Sequence, residues 1–221
     1  PEFTQVDKPI GLWPSLKFTF TSKSFLILVA QNFMSILMSS LVLGMVYYLA
    51  DYVLQLNTMA VLACLFIPLI GGVPVTNIIR KKVGVARAQQ VFLLAAGIGL
   101  VAMTFVPNWL ILPCIALAGF GLAGPQTLTN VLFGQVADEG EVRAGVRREG
   151  AFFGVNALIT KPAQSIAISL IPWILEITKF VTRNSNNGET FLNQPPAAIF
   201  GIKALIGLIP GIAMLIGAVI L

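Results

Sequence analysis

Long apolar runs separated by short polar stretches dominate the chain from residue 24 onward. Each run is long enough for a helix to cross a hydrocarbon core of about 30 Å, which takes roughly 20 residues. The pattern therefore predicts an all-α membrane protein of six transmembrane helices embedded in a lipid bilayer. The predicted spans are residues 25–54, 58–79, 88–106, 109–137, 150–178 and 197–221, and they follow a polar, proline-broken cytoplasmic linker at residues 1–23.

The composition agrees with a bilayer environment. Of the 221 residues, 57% are apolar and only 10% are charged, whereas soluble domains carry about 25% charged residues. The net charge of +5 is too sparse for a nucleic-acid-binding surface. The chain has no histidine, and Cys64 and Cys114 both lie inside apolar runs. We therefore expect no metal site, no disulfide framework and no cofactor.

Lysine and arginine are distributed unevenly between the two sides of this predicted topology. The outer loops contain only Lys179 and Arg183. If the N-terminal linker lies inside, the inner side holds ten basic residues: Lys8, Lys17, Lys23, Arg80, Lys81, Lys82, Arg87, Arg143, Arg147 and Arg148. Short cytoplasmic loops carry such an excess. We therefore expect a multi-pass cell-membrane protein with both ends in the cytoplasm.

One lysine, Lys161, lies in the middle of the fifth span. It comes twelve positions after Glu149, which is about 18 Å along a helix and hence near the bilayer midplane. A charge at that depth is costly and usually marks a substrate or ion pathway. We expect its helix face to point into the bundle, because a lysine at this depth does not snorkel easily to water. That face also carries small and polar residues: Gly150, Gly154, Ala157, Gln164 and Ser165.

Polar residues in two other spans are candidates for the lining of a cavity. In the first span Asn32 falls on one helix face with Ser35 and Ser39, and in the fourth span Gln126, Thr129 and Asn130 follow a Gly-Pro pair. Hydrogen bonding and close packing between helices are the alternatives, and the pattern leaves both open. The candidate substrate or coupling residues are Lys161, Gln164, Asn32, Gln126, Thr129 and Asn130.

The stretch from Val136 to Lys161 resembles a signature of one transporter family. It begins Val-Ala-Asp-Glu-Gly-Glu-Val-Arg and continues through Gly-Val-Arg-Arg-Glu-Gly to the lysine. The glycoside-pentoside-hexuronide cation symporters, the melibiose-permease-like branch of the major facilitator superfamily, have a similar acidic loop, an Arg-x-Glu and a span with a mid-membrane lysine. The matching residues are Asp138, Gly140, Glu141, Arg147, Glu149 and Lys161. Residues 17–20 and 47–54 add weaker agreement.

This resemblance implies a fold and a function. The six spans correspond to the C-terminal half of a twelve-span bundle, and the partner is an N-terminal six-span half from the same gene or a separate chain. The implied activity is symport of sugars or other small polar solutes with Na⁺ or H⁺ by alternating access. Lys161 takes the place of the lysine that couples the solute and cation sites. Most of the cation-binding acidic residues belong to the N-terminal half.

The charges of this chain permit further expectations. No acidic residue lies in the middle of any span, so a partner for Lys161 is expected in the other half or on the solute. The charged stretch is either a cytoplasmic gate or only a determinant of topology. The candidate gate residues are Asp138, Glu141, Arg147, Glu149 and Arg80.

Two alternatives to a sugar symporter stay open at this point. One is a carrier of lysolipids or other amphiphiles from the same superfamily, and the other is a non-transporting membrane subunit. An intramembrane enzyme is the least favoured reading, because the chain has no histidine and no pair of mid-span acids.

Overall fold

Six long helices make up the computed structural model, which describes residues 20–144, 149–181 and 194–221. The helices are α1 (Lys23–Leu54), α2 (Thr58–Val83), α3 (Val85–Phe105), α4 (Asn108–Ala144), α5 (Glu149–Ile177) and α6 (Pro196–Ile220). All six are long and apolar enough to cross a membrane, and these ranges contain no strand. The predicted all-α, six-span fold class is confirmed. Most of the linker at residues 1–23 lies outside the described ranges.

Local sequence signals explain where several helices begin and end. The Ser22 hydroxyl accepts a hydrogen bond from the Phe25 amide at 3.4 Å and caps α1. Asn57 caps α2 by accepting from the Met59 amide at 2.8 Å. Gly84, at φ +90°, separates α2 from α3 with a single residue. Glycine adopts this backbone conformation without the steric cost that a side chain would add.

Two helices continue further than the sequence pattern predicts. The helix α2 runs to Val83, four residues beyond the expected end, and α4 runs to Ala144, so the first part of the predicted charged loop is helical. Glutamate, arginine and alanine are good helix formers, so a helix can continue beyond the last residue of an apolar run. Pro68 and Pro74 lie inside α2, which is nevertheless one continuous helix.

Two helices contain a wider turn near the same end of the bundle. The last residues of α1, Leu49–Leu54, and the segment Ala204–Leu208 of α6 are π-helical. Such segments are rare and disturb the regular pattern of backbone hydrogen bonds. Asn108, at the start of α4, donates from Nδ2 to the carbonyl oxygen of Val53 within the first π segment at 3.2 Å. The start of α4 is thereby tied to the end of α1.

The helix α4 is packed closely against two neighbours, and glycines allow that approach. A Cβ atom at Gly119 would overlap the backbone of Leu65 in α2, and one at Gly121 would overlap the backbone of Ala96 in α3. Small residues at such contacts are typical of membrane helix packing, because they let two backbones come close. On the other side of the bundle α1 packs against α5 and α6, and α6 packs against α3.

The six helices are covered to different extents. In the most apolar stretch of each helix, the buried share is 44% for α1, 56% for α3, and 50% for both α4 and α6. The corresponding share is only 17% for α2 and 22% for α5. Large apolar side chains remain exposed on these two helices, including Ile67 at 69% and Leu158 at 70%. The faces of α2 and α5 are therefore the least covered part of this bundle.

Candidate functional site

Lys161 lies on the uncovered side of α5. Its side chain is exposed, whereas Ala163 and Ala167 of the same helix have no exposed surface. The expectation that the lysine face points into the bundle is therefore wrong for this six-helix bundle. The alanine face makes the contact instead, because methyl side chains let α5 approach α1 more closely than a lysine would.

The polar groups around Lys161 have no partners within the part of the chain that the structure describes. Lys161, Gln164, Ser165 and Ser169 make neither hydrogen bonds nor ion pairs there, and all four are exposed. We refer to these four residues as the open face of α5. Thr160, by contrast, is buried and donates its hydroxyl to the Asn156 carbonyl oxygen at 2.7 Å. The open face thus offers a cation, an amide and two hydroxyls to groups outside the described residues.

The open face continues toward the end of α5 as a shallow, wide-open groove along the surface of this one helix. Ser165 and Ser169 line this open groove together with Ile166, Leu170 and Trp173. The indole of Trp173 is 59% exposed. The groove therefore combines hydroxyls, aliphatic walls and an aromatic surface.

The candidate residues of α4 divide into two groups. Gln126 and Asn130 are exposed and, like the open face, have no hydrogen bond to a described residue. Thr129 is only 7% exposed, and its hydroxyl accepts a hydrogen bond from Gln89 Nε2 at 3.0 Å. Gln126 and Asn130 remain available to a solute, whereas Thr129 belongs to the interior.

Thr129 is part of a buried network that joins three helices. Gln89 of α3 also donates from Nε2 to Gln31 Oε1 of α1 at 2.9 Å, and Gln31 Nε2 donates to Ser35 at 2.6 Å. We call these four residues, Gln31, Ser35, Gln89 and Thr129, the amide cluster. Gln89 Oε1 is buried and has no hydrogen-bond partner among the described residues. The other polar contacts of the cluster hold α1, α3 and α4 together.

Asn32 also bonds within the bundle. Its side chain is 9% exposed and donates from Nδ2 to Asn156 Oδ1 of α5 at 3.0 Å. Asn32 therefore has a protein partner, unlike Lys161 and Gln164. The structure brings Asn32 and α5 together but leaves the candidate residues without a common pocket among the described ranges.

Sequence reasoning missed Gln89 and Asn156. Both lie in spans that are mostly apolar, and an amide in such a run needs a partner because an unpaired one is costly in hydrocarbon. The need for a hydrogen-bond partner is the sequence signal that could have identified these two residues. It identifies a residue with a bond to make, but it does not say on which helix the partner lies.

Two residues of the candidate cytoplasmic gate, Arg80 and Asp138, have described side chains. Arg80 is partly buried and Asp138 is exposed, and neither forms an ion pair with a described residue. Arg147 lies outside the described residues, and so do the side chains of Glu141 and Glu149. The gate stays a prediction.

At the other end of the bundle, a second lysine does have a partner. Lys203 of α6 donates from Nζ to Asn108 Oδ1 at 3.2 Å, and the same asparagine bonds the end of α1. Three aromatic rings pack on one another near the end of α1: the rings of Tyr52 and Phe180 are 5.0 Å apart, and Tyr48 contacts both. This bond gives the Lys203 ammonium a partner among the described residues.

Two comparisons with known proteins bear on this architecture. The chain is 25% identical over 223 residues to an uncharacterized symporter of Synechocystis sp., in an alignment that covers 97% of this chain and 40% of that protein. The chain thus spans well under half the length of the curated relative it matches. The family model described as "MFS/sugar transport protein" matches residues 1–221. The major-facilitator resemblance is confirmed, and the chain belongs to the MFS/sugar transport protein family.

Proposed function

We propose that this chain is the C-terminal half of a cation-coupled symporter for sugars or other small polar solutes. The observation that carries the proposal is Lys161, which is exposed in the middle of α5 and has no partner among the described residues. The helix α5 is one of the two that this bundle leaves least covered. A second six-span half that packs on α2 and α5 would enclose the open face in a central cavity. Halves of this kind work by rocking against each other around a midplane site.

The uncovered faces support a second half as the partner. Ile67 and Ile70 of α2 and Ile168 of α5 are between 65% and 69% exposed, and their side chains need either lipid or protein around them. The polar groups of the open face lie on the same helix as Ile168, and lipid offers them no hydrogen bonds. A protein partner that leaves a wet cavity satisfies both requirements. We infer an N-terminal half encoded by the same gene or a separate chain.

The chemistry of Lys161 supports coupling. An ammonium at this depth requires a counter-charge, because an isolated buried charge is costly. The acidic residues with described side chains lie near helix ends, at Asp51, Asp138, Glu139 and Glu176. We infer that a carboxylate of the other half pairs with Lys161 in one conformation and binds Na⁺ or H⁺ in the other. Competition between ammonium and cation for one carboxylate makes the two conformations depend on the cation.

The neutral groups supply the solute contacts in this proposal. Gln126 and Asn130 of α4 and Gln164 of α5 carry free amides, which both donate and accept hydrogen bonds. Hydroxyl groups of a sugar match such amides, because each hydroxyl is also a donor and an acceptor. In this proposal the protein is a multi-pass cell-membrane protein with both ends in the cytoplasm, as the distribution of basic residues predicts.

One structural feature favours a second candidate function. The groove beside the open face has aliphatic and aromatic walls, formed by Ile166, Leu170 and Trp173, next to the hydroxyls of Ser165 and Ser169. An amphiphile such as a lysolipid presents the same combination of acyl chain and polar head. A lysolipid carrier is therefore the alternative, and a non-transporting membrane subunit is the third possibility.

Solute counterflow in proteoliposomes tests the proposal on the complete protein with both halves. Labelled sugars and labelled lysolipids are offered separately, with and without Na⁺, and with a protonophore to abolish a proton gradient. We expect counterflow of a sugar and cation-dependent accumulation. Counterflow of lysolipid alone would transfer the assignment to the amphiphile carrier. Absence of any counterflow with a folded protein would support the non-transporting subunit.

A further inference from the structure

The contact between α1 and α5 combines small apolar residues with one pair of amides. Ala163 and Ala167 are fully buried and lie on the same face of α5 as Asn156, and Ile171 lies so close to Gly44 that a Cβ added at Gly44 would be 2.7 Å from the Ile171 Cδ1 atom. Asn32 Nδ2 donates to Asn156 Oδ1 at 3.0 Å in the same contact. The contact thus has an apolar part, which is not directional, and a hydrogen-bonded part, which is.

These two parts constrain α5 differently. Apolar contacts are non-directional, so methyl groups alone allow a helix to rotate about its axis at little cost. A hydrogen bond needs a short distance and favours a donor angle above about 150°, so it restricts rotation as well as separation. The bond between Asn32 and Asn156 is therefore the directional element of this contact, and it acts together with the alanine face to set which side of α5 faces α1.

The position of Asn156 relative to Lys161 gives this constraint a functional meaning. The two residues are five positions apart, which places them about 140° apart around a helix with about 3.6 residues per turn. When Asn156 is held against α1, Lys161 points away from α1. The hydroxyl of Thr160 bonds the Asn156 carbonyl oxygen and leaves the Asn156 side chain free for Asn32.

We propose that Asn156 is a positioning residue, held by Asn32, that sets the rotation of α5 and thereby presents Lys161 and the open face to the second half. Its importance for transport rests on the proposed function of Lys161. The rotation itself does not, because it can be measured without any transported solute.

Cysteine labelling around α5 tests this rotation in the complete protein, with Cys64, Cys114 and any other cysteines replaced. Single variants at Thr160, Lys161, Ala163, Ser165 and Ala167 are reacted with a membrane-impermeant maleimide and, in parallel, with a lipid-soluble one. In the otherwise unchanged protein we expect labelling at Lys161→Cys and Ser165→Cys and little at Ala163→Cys and Ala167→Cys. Adding Asn156→Leu should move the ratio between these two sets toward unity.

Three further variants make the result specific to the hydrogen bond. Asn156→Asp keeps an acceptor oxygen and should preserve the original labelling pattern. Thr160→Val removes a bond within α5 only and should also preserve it, so it is the matched control on the same turn. If Asn156→Leu does not fold, Asn32→Leu removes the same bond from the α1 side.

Each result has a defined meaning. An unchanged labelling pattern in Asn156→Leu or Asn32→Leu would overturn the positioning role, and so would a shifted pattern in Asn156→Asp. The proposed function fails separately, if Lys161→Cys and Ser165→Cys react only with the lipid-soluble reagent. In that case the lipid-soluble reagent still reports the rotation.

Discussion

The amide cluster and the open face of α5 consist of similar residues in very different surroundings. Gln31, Gln89 and Thr129 are buried and bonded to one another across three helices. Gln164 and Ser165 are exposed and have no partner among the described residues. Both regions insert polar groups into apolar helices, but only the cluster uses them to join helices of this chain. We therefore expect changes in the cluster to affect stability and changes on the open face to affect transport.

The largest expected effect comes from Lys161→Ala on the open face. Cation-driven accumulation by the complete transporter should fall by about 5- to 150-fold, the range that corresponds to a coupling free energy of about 1–3 kcal/mol. Within the described residues the Lys161 side chain has no partner, so a fall in the thermal unfolding midpoint in detergent would report the loss of the proposed pairing with the other half. Uptake into proteoliposomes and the unfolding midpoint are the two measurements.

Lys203→Ala is the matched control for this prediction, because Lys203 lies in another span and bonds Asn108. We expect it to leave cation-driven accumulation intact. Equal loss of accumulation in both lysine variants would mean that the exposed position of Lys161 has no special role, and the comparison between the two regions would fail.

The next largest effect concerns glycines on the packed and the open sides. Gly121→Ala places a Cβ against the backbone of Ala96 and pushes α4 from α3, which should destabilise the protein by about 1–3 kcal/mol, as overpacking does. Gly154→Ala on α5 should have little effect, because no atom lies within 4 Å of its added Cβ. Unfolding curves of the two variants measure this difference in stability. A strongly destabilising Gly154→Ala would show that a part of the protein beyond the described residues packs there.

A smaller loss of stability is expected in the amide cluster. Gln31→Leu removes the acceptor of one buried bond and the donor of another, so the free energy of unfolding should fall by about 1–2 kcal/mol. Gln89→Leu should cost less, because it also removes the buried Oε1 atom that has no partner among the described residues. Gln164→Leu on the open face is the control and should change stability by less than about 0.5 kcal/mol.

Measurement of the three glutamine variants under one set of unfolding conditions ranks these costs. We expect the loss in free energy of unfolding to decrease in the order Gln31→Leu, Gln89→Leu, Gln164→Leu. Gln164→Leu as the most destabilising of the three would contradict the division into a structural cluster and an open face.

The smallest expected effect is at the tie that Asn108 forms by its hydrogen bonds with Val53 and Lys203. Asn108→Ala should reduce stability by about 0.6 kcal/mol, the average for a hydrogen bond between membrane helices. The residue is exposed, so water can replace the lost bonds. A fall as large as that of Gln31→Leu would show that the tie is as strong as the buried cluster.

The fold was largely predictable because the length of an apolar run is a local property. The errors occur where another local preference took over: Asp138–Ala144 lies outside the hydrophobic run but contains good helix formers, and α4 continues through it. The prolines of α2 did not break the helix, because neighbours in a membrane bundle compensate for the lost backbone bond.

The candidate site was predictable in composition but not in geometry. Thr129 and Asn130 are neighbours in sequence, yet one is buried in the amide cluster and the other is exposed. Neighbouring helix positions differ by about 100° in direction, and which direction is covered depends on distant helices. For the same reason the orientation of Lys161 could not be obtained from the small residues on its own helix face.

The length of α4 has a mechanical consequence. Its 37 residues correspond to about 55 Å of helix, so about 25 Å of it exceeds a hydrocarbon core of about 30 Å. If that excess extends from the membrane on one side, a tilt of the membrane-embedded part of the helix displaces its protruding end. A tilt of only about 10° inside the membrane would then displace its far tip by about 4 Å. A spectroscopic label at the charged end of α4 would therefore report a small tilt of the membrane-embedded part as a larger displacement.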